Sequence, residues 1–129
     1  MECVAAPNSM RGEKYLKENA EARADDLMWA FSQTDIKGII ANIGGNDSIR
    51  LFPYIDYDII RNNPKVFIGY SDIMNVHFMC LKAGLSTYYG VNLLPSFGEP
   101  YSVPQYTINH FKKTFSDTMP IVSSHFNSD

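Results

Sequence analysis

The chain has 129 residues, of which 45% are apolar and 13% aromatic. That suits one globular domain able to bury roughly two thirds of its unfolded surface, and it excludes a disordered tail or a disulfide-stapled miniprotein. The net charge is -3 and the 11 basic residues are scattered, so nothing in the pattern attracts a nucleic-acid backbone. Only Cys3 and Cys80 carry thiols, the apolar runs fall far short of the ~20 residues a membrane helix requires, and the opening lacks a basic region followed by an apolar core. A reducing cytoplasm, no nucleic-acid partner and no membrane are the expectations.

In chain order, Ala20, Ala24, Leu27, Met28 and Phe31 recur at spacings of three and four, with Glu21, Arg23, Asp25 and Asp26 on the other face. The spacing predicts an amphipathic helix capped by Asn19. Residues 37–45 read KGIIANIGG, a β-branched run closed by two glycines, which predicts a strand buried on both faces. A polar turn over 46–50 follows, and Asp58 to Arg61 has room for a helical turn stopped by Asn62, Asn63 and Pro64. Lys65 to Ile68 predicts a second buried strand, Asp72 to Lys82 a helix ended by Gly84, residues 85–90 a third strand, and Gln105 to Phe115 a last helix. Strands alternating with helices at these distances predict an α/β fold, three layers deep, with a mostly parallel sheet.

Three glycine corners, Gly44-Gly45, Gly69 to Ser71, and Gly90, each follow the carboxyl end of a predicted strand. Open parallel sheets carry their sites along that edge. Ser71 admits two readings: an N-cap for the helix that follows, or a hydroxyl lifted from the sheet by a sharp strand-to-helix turn. On the second reading the N–H of Asp72 is one donor for a developing oxyanion. Gly44-Gly45 is either a tight turn or a loop that lets the backbone approach a ligand. His77 lies six residues beyond Ser71, roughly 9 Å along the same helix and off its face, so it does not serve Ser71 as a base. His110 and His125 read as solvated side chains, Asp56 and Asp58 as loop and cap residues, and Cys80 and the Met and aromatic positions of 72–82 as core. No cysteine, histidine and carboxylate spacing suggests a metal site.

Taken together, RADDL (23–27), the block GIIANIGGNDSIRLFPYIDYDIIRNNPKVFIGYSD (38–72) and KAGLSTYYG (82–90) resemble the LD-carboxypeptidase family of serine peptidases, which includes the microcin C immunity peptidases. The resemblance implies that Ser71 is a nucleophile, that Asp72 donates its backbone N–H to the oxyanion, and that Gly44, Gly45 and Asn46 shape the oxyanion and substrate site. Asn46-Asp47-Ser48 stands where many members have Tyr-Gly-Ser. It further implies that residues 1–129 are a partial nucleophile domain, lacking its first strand, of a two-domain enzyme whose Glu and His lie in a separate C-terminal domain. The implied substrates are small, a murein tetrapeptide or a peptidyl nucleotide, no cofactor is needed, and a homodimer is an expected state of the intact enzyme. From the residues alone, a non-catalytic α/β module in which Ser71 caps a helix and the glycine loop holds an anion stays open beside it.

Overall fold

The computed structural model describes residues 3–98 and 102–115. Helices α1 (Glu13–Glu18) and α2 (Ala20–Ser32) precede strand β1 (Gly38–Ile40), a 3-10 helix (Ser48–Tyr54), α3 (Tyr57–Asn62) and strand β2 (Val66–Gly69). A one-turn 3-10 helix (Ser71–Ile73) then leads into α4 (Met74–Lys82), strand β3 (Tyr88–Tyr89), α5 (Leu93–Phe97) and α6 (Gln105–Thr114). The strands form a parallel sheet in the order β1-β2-β3, with Ile39 opposite Phe67, and Ile68 opposite Tyr88.

Side chains alternate across a strand, so Phe67 and Ile68 face opposite ways and divide the helices between them. Phe67 belongs to the main core with Ala24, Leu27 and Phe31 of α2, Ile60 of α3, and Val76, Met79 and Cys80 of α4. Phe31, Ile60 and Met79 are fully buried, and each such side chain contributes about 1.5–3 kcal/mol. Tyr88, on the Ile68 side, meets Phe115 just past α6 at 5.2 Å between ring centroids. Helical segments therefore cover both faces of a parallel sheet, the α/β architecture expected.

Several local expectations are corrected. β1 is half-buried rather than buried on both faces, because it is an outer strand of the described sheet and only β2 pairs with it. The polar stretch expected as a turn enters a 3-10 helix at Ser48. Asn19 precedes α2 as expected, but its amide donates back to the Tyr15 carbonyl instead of capping. Asp26, placed on the solvent face by periodicity, is buried because it accepts the backbone and side-chain N–H groups of Asn8. On α4 the inward positions are Val76, Met79 and Cys80, whereas Met74, Phe78 and Leu81 are exposed. The Asp56 cap holds: its carboxylate accepts from Asp58 N and Ile59 N. α4 ends where expected, with Gly84 at φ 88°. Helices α1 and α5 were not anticipated.

Candidate active site

The three strands end at one place. A cavity of about 260 Å³ opens there, lined by Ile43, Gly44 and Gly45 after β1, Tyr70 and Ser71 after β2, and Asn92 and Pro95 after β3. Two of the glycine corners meet in it, and the third delivers Asn92 and Pro95. Asn46 is exposed and does not line the cavity.

Ser71 has φ 68°, and among the described residues it is the one non-glycine with positive φ. A left-handed conformation costs an L-residue about 1–2 kcal/mol, so surrounding contacts must hold it. The cap reading of Ser71 fails here: Tyr70 occupies the N-cap position of the 3-10 helix, and no side-chain cap bond forms there or at the start of α4. The sharp turn instead leaves Ser71 exposed at the cavity.

Gly44 packs directly on it. A Cβ at Gly44 would stand 2.9 Å from Ser71 Cβ and 3.0 Å from its Oγ, distances that exclude any side chain. The same point lies 3.7 Å from Asp72 N, so Oγ, the Asp72 N–H and the bare Gly44 backbone border one small space. Asp72 N–H belongs to the first turn of the 3-10 helix, where no intrahelical carbonyl is available to it. A hydroxyl, a backbone donor and a glycine wall in this arrangement suit attack on a carbonyl whose oxygen turns toward the donor.

The loop carrying Gly44 and Gly45 is tied to the serine turn by the Asp72 side chain. Its Oδ2 accepts the N–H of Asp47 at 3.1 Å and of Ser48 at 2.8 Å. Ser48 Oγ returns a bond to the Asp72 carbonyl at 2.5 Å, and Asn75 Nδ2 donates to Ser48 Oγ and to Asp72 Oδ1. Behind the loop, Arg23 pairs with Asp47 at 2.8 Å. On the other flank, the fully buried Asn92 takes the Tyr70 N–H at 3.0 Å and donates to the Tyr70 carbonyl at 3.3 Å. Sequence reasoning missed Asn92, Tyr89 and the clamp role of the Asp72 carboxylate. The one available signal was a lone Asn amid the apolar residues 91–94.

His77 is fully engaged elsewhere. The Gly69 carbonyl can only accept, so Nε2 carries a proton toward it at 3.0 Å, and Nδ1 shares a hydrogen bond with Thr87 Oγ1 at 2.7 Å. His110 rests on Tyr106 in α6 at 4.1 Å, and His125 lies outside the described residues. Burial pushes the Cys80 thiol up to about 12, which makes it an inert core group. Among the described residues no cluster of His, Cys, Asp and Glu is arranged to hold a metal, and no helix is long and apolar enough to cross a membrane.

A parallel α/β sheet with a strained serine at the carboxyl end of its central strand places the chain in the broad class of α/β proteins with an elbow-borne hydroxyl. Residues 1–90 match the model of the LD-carboxypeptidase N-terminal domain, and the chain belongs to that family. It is 39% identical over 100 residues to the microcin C7 self-immunity protein MccF of Escherichia coli, covering 77% of this chain and 29% of that one. It is 32% identical over 105 residues to a probable murein peptide carboxypeptidase of Bacillus subtilis, covering 81% and 33%. Among solved structures, an MccF-like protein from Streptococcus pneumoniae in complex with AMP superposes with a TM-score of 0.79 at 36% identity, over 85% of this chain and 33% of that chain. The chain thus spans about a third of the length of the relatives it matches.

Proposed function

We propose that Ser71 is the nucleophile of a serine-type LD-carboxypeptidase and that residues 1–129 form part of its nucleophile domain. The observation that carries this reading is the left-handed Ser71 at the cavity, against a Gly44 that admits no side chain. A serine needing only to cap a helix has no reason to accept that strain. In the reaction, a histidine held by a glutamate removes the Ser71 proton, and both lie in a C-terminal domain outside this chain. Ser71 Oγ attacks the amide carbonyl next to a terminal carboxylate and the oxyanion turns to the Asp72 N–H. The C–N bond breaks as the histidine passes its proton to the leaving amine, and water deprotonated by the same histidine then hydrolyses the acyl-enzyme and restores the Ser71 hydroxyl. One oxyanion donor supplies about 3 kcal/mol of transition-state stabilisation. Gly44 and Gly45 shape the oxyanion side, and Asn46 meets substrate from the rim.

The substrate class is a small acyl compound: a murein tetrapeptide or an aminoacyl nucleotide. Support comes from relatives whose structures hold aspartyl sulfamoyl adenosine or glutamyl sulfamoyl guanosine, and from the murein-peptide relative. This chemistry needs no metal or organic cofactor, and two free thiols suit a reducing cytoplasm.

The test is to join the chain to the C-terminal two thirds of the B. subtilis relative and follow release of the terminal residue from an LD-tetrapeptide. Turnover that falls by several powers of ten in Ser71→Ala supports the assignment. Turnover indifferent to Ser71 overturns it. The 129-residue chain alone is expected to show negligible turnover, because His77 is held by Thr87 and the Gly69 carbonyl and is not free to act as the base for Ser71.

A further inference from the structure

We propose that Tyr89 is a positioning residue for Ser71, its phenolic oxygen holding the serine in the conformation that presents Oγ to the cavity. The inference deepens, and rests on, the reading of Ser71 as the nucleophile.

The angle φ of Ser71 is rotation about its N–Cα bond, so it is set by whatever fixes the peptide unit before it and the residue after it. The unit between Tyr70 and Ser71 is held at both polar ends by the segment that follows β2 across the sheet. Its carbonyl, on Tyr70, accepts from Asn92 Nδ2 at 3.3 Å, and its N–H, on Ser71, donates to Tyr89 Oη at 3.0 Å. On the far side, Asp72 is fastened by its carboxylate to Asp47 and Ser48 and by its carbonyl to Ser48 Oγ. With both neighbours anchored, the strained rotation has nowhere to relax. Of these anchors only Tyr89 touches Ser71 itself, and a phenylalanine there would leave the Ser71 N–H without its acceptor.

The ring is aimed by the fold. Tyr89 pairs with Gly69 in the register of β2 and β3, where the neighbouring strand contributes no side chain to crowd it. Its ring leans on His77, 5.7 Å between centroids, and His77 is itself pinned by Thr87 and the Gly69 carbonyl. The histidine that spacing removed as a base thus buttresses the tyrosine that holds the serine. Because the Ser71 N–H is spent on Tyr89, it is also withdrawn from the oxyanion, leaving that task to Asp72.

The experiment is solution NMR of the ¹⁵N-labelled chain with Tyr89→Phe, which keeps the ring on His77 and removes only the acceptor. The expected result is an upfield move of the Ser71 amide proton and exchange faster by about 10-fold, the size of one lost hydrogen bond, with Phe67 and Ile68 amides unchanged. A Ser71 amide that keeps its shift and exchange rate overturns the proposal. Should the variant not fold, the wild-type Ser71 amide decides the matter: held by Tyr89 Oη it exchanges about 10-fold more slowly than the same amide in an unstructured peptide, and exchange at the unstructured rate overturns the proposal. In the chimera used for turnover, Tyr89→Phe lowers kcat by about 10-fold with KM held, since positioning acts on the reacting oxygen. A Ser71→Ala chimera with undiminished turnover sinks the nucleophile reading and leaves the hydrogen bond standing. An unmoved Ser71 amide sinks Tyr89 alone.

Discussion

The strain at Ser71 can be weighed without any enzyme assay. Replacing Ser71 by Gly removes the Cβ clash of a φ of 68°, a relief of about 1–2 kcal/mol. The added freedom of glycine in the unfolded chain returns about 0.5–1 kcal/mol of that. Ser71→Ala keeps the clash and, like Ser71→Gly, lacks the hydroxyl, so comparing the two variants cancels the hydroxyl's contribution. The exposed position of Ser71 keeps the buried area of the extra methyl small. The Gly variant is therefore expected to be more stable than the Ala variant by about 1 kcal/mol. An unfolding entropy of roughly 2.1 cal/mol/K per residue converts this, for 129 residues, into about 4 °C in Tm. Urea unfolding followed by circular dichroism measures both, with m-values checked for constancy. Ser86, also exposed and with no positive φ, is the control: there Gly is expected to be less stable than Ala. A Ser71→Ala chain as stable as the Ser71→Gly chain, or more so, refutes the strain and with it the main support for an elbow-borne nucleophile.

Further outcomes concern the clamp and the core. Asp72→Ala strips the acceptor from the Asp47 and Ser48 N–H groups and is expected to destabilise by about 2 kcal/mol, a partly exposed version of a charge-assisted pair. Asp72→Asn keeps one oxygen for both donors and is expected to lose less; equal losses in denaturant melts would show that the carboxylate does not hold the loop. Cys80, fully buried, has its thiol raised from 9.0 to about 12 by desolvation, so its contribution to stability is complete below about pH 9 and is lost as pH rises toward 12. Between those values the unfolded chain sheds a proton that the folded one keeps. The stability difference between wild type and Cys80→Ala thus shrinks by up to about 1.4 kcal/mol per pH unit. A pH-independent difference contradicts the burial argument. A colorimetric disulfide reagent at about pH 8 should titrate the exposed Cys3 in the native chain, and Cys80 only after denaturation.

The parts of this protein written locally in the sequence are those that depend on neighbours a few residues away. The apolar, β-branched stretches within 37–45 and 65–68, followed by Gly44-Gly45 and by Gly69, set out two parallel strands, and from strands alternating with helices the edge bearing the cavity follows. Spacing alone also removed His77 as a base, since six residues along a helix already carry a side chain out of reach. Family motifs pointed to Ser71, but residue by residue a serine before a helix reads as a cap. What overruled the cap is long-range. Tyr89 reaches Ser71 across 18 residues, Asn92 reaches Tyr70 across 22, and the Asp47 N–H reaches the Asp72 carboxylate across 25. Periodicity records which face of an element is apolar, not which distant segment lies opposite it. The burial of Asp26 by Asn8 and the exposure of Met74, Phe78 and Leu81 on α4 have the same origin. Sequence by itself determined the three strands, helices α2, α3, α4 and α6, their order, and the sheet edge on which the cavity opens. Only the convergence of three strand ends decided the serine's conformation, because a strained φ survives where contacts from several segments cost more to break than the strain releases.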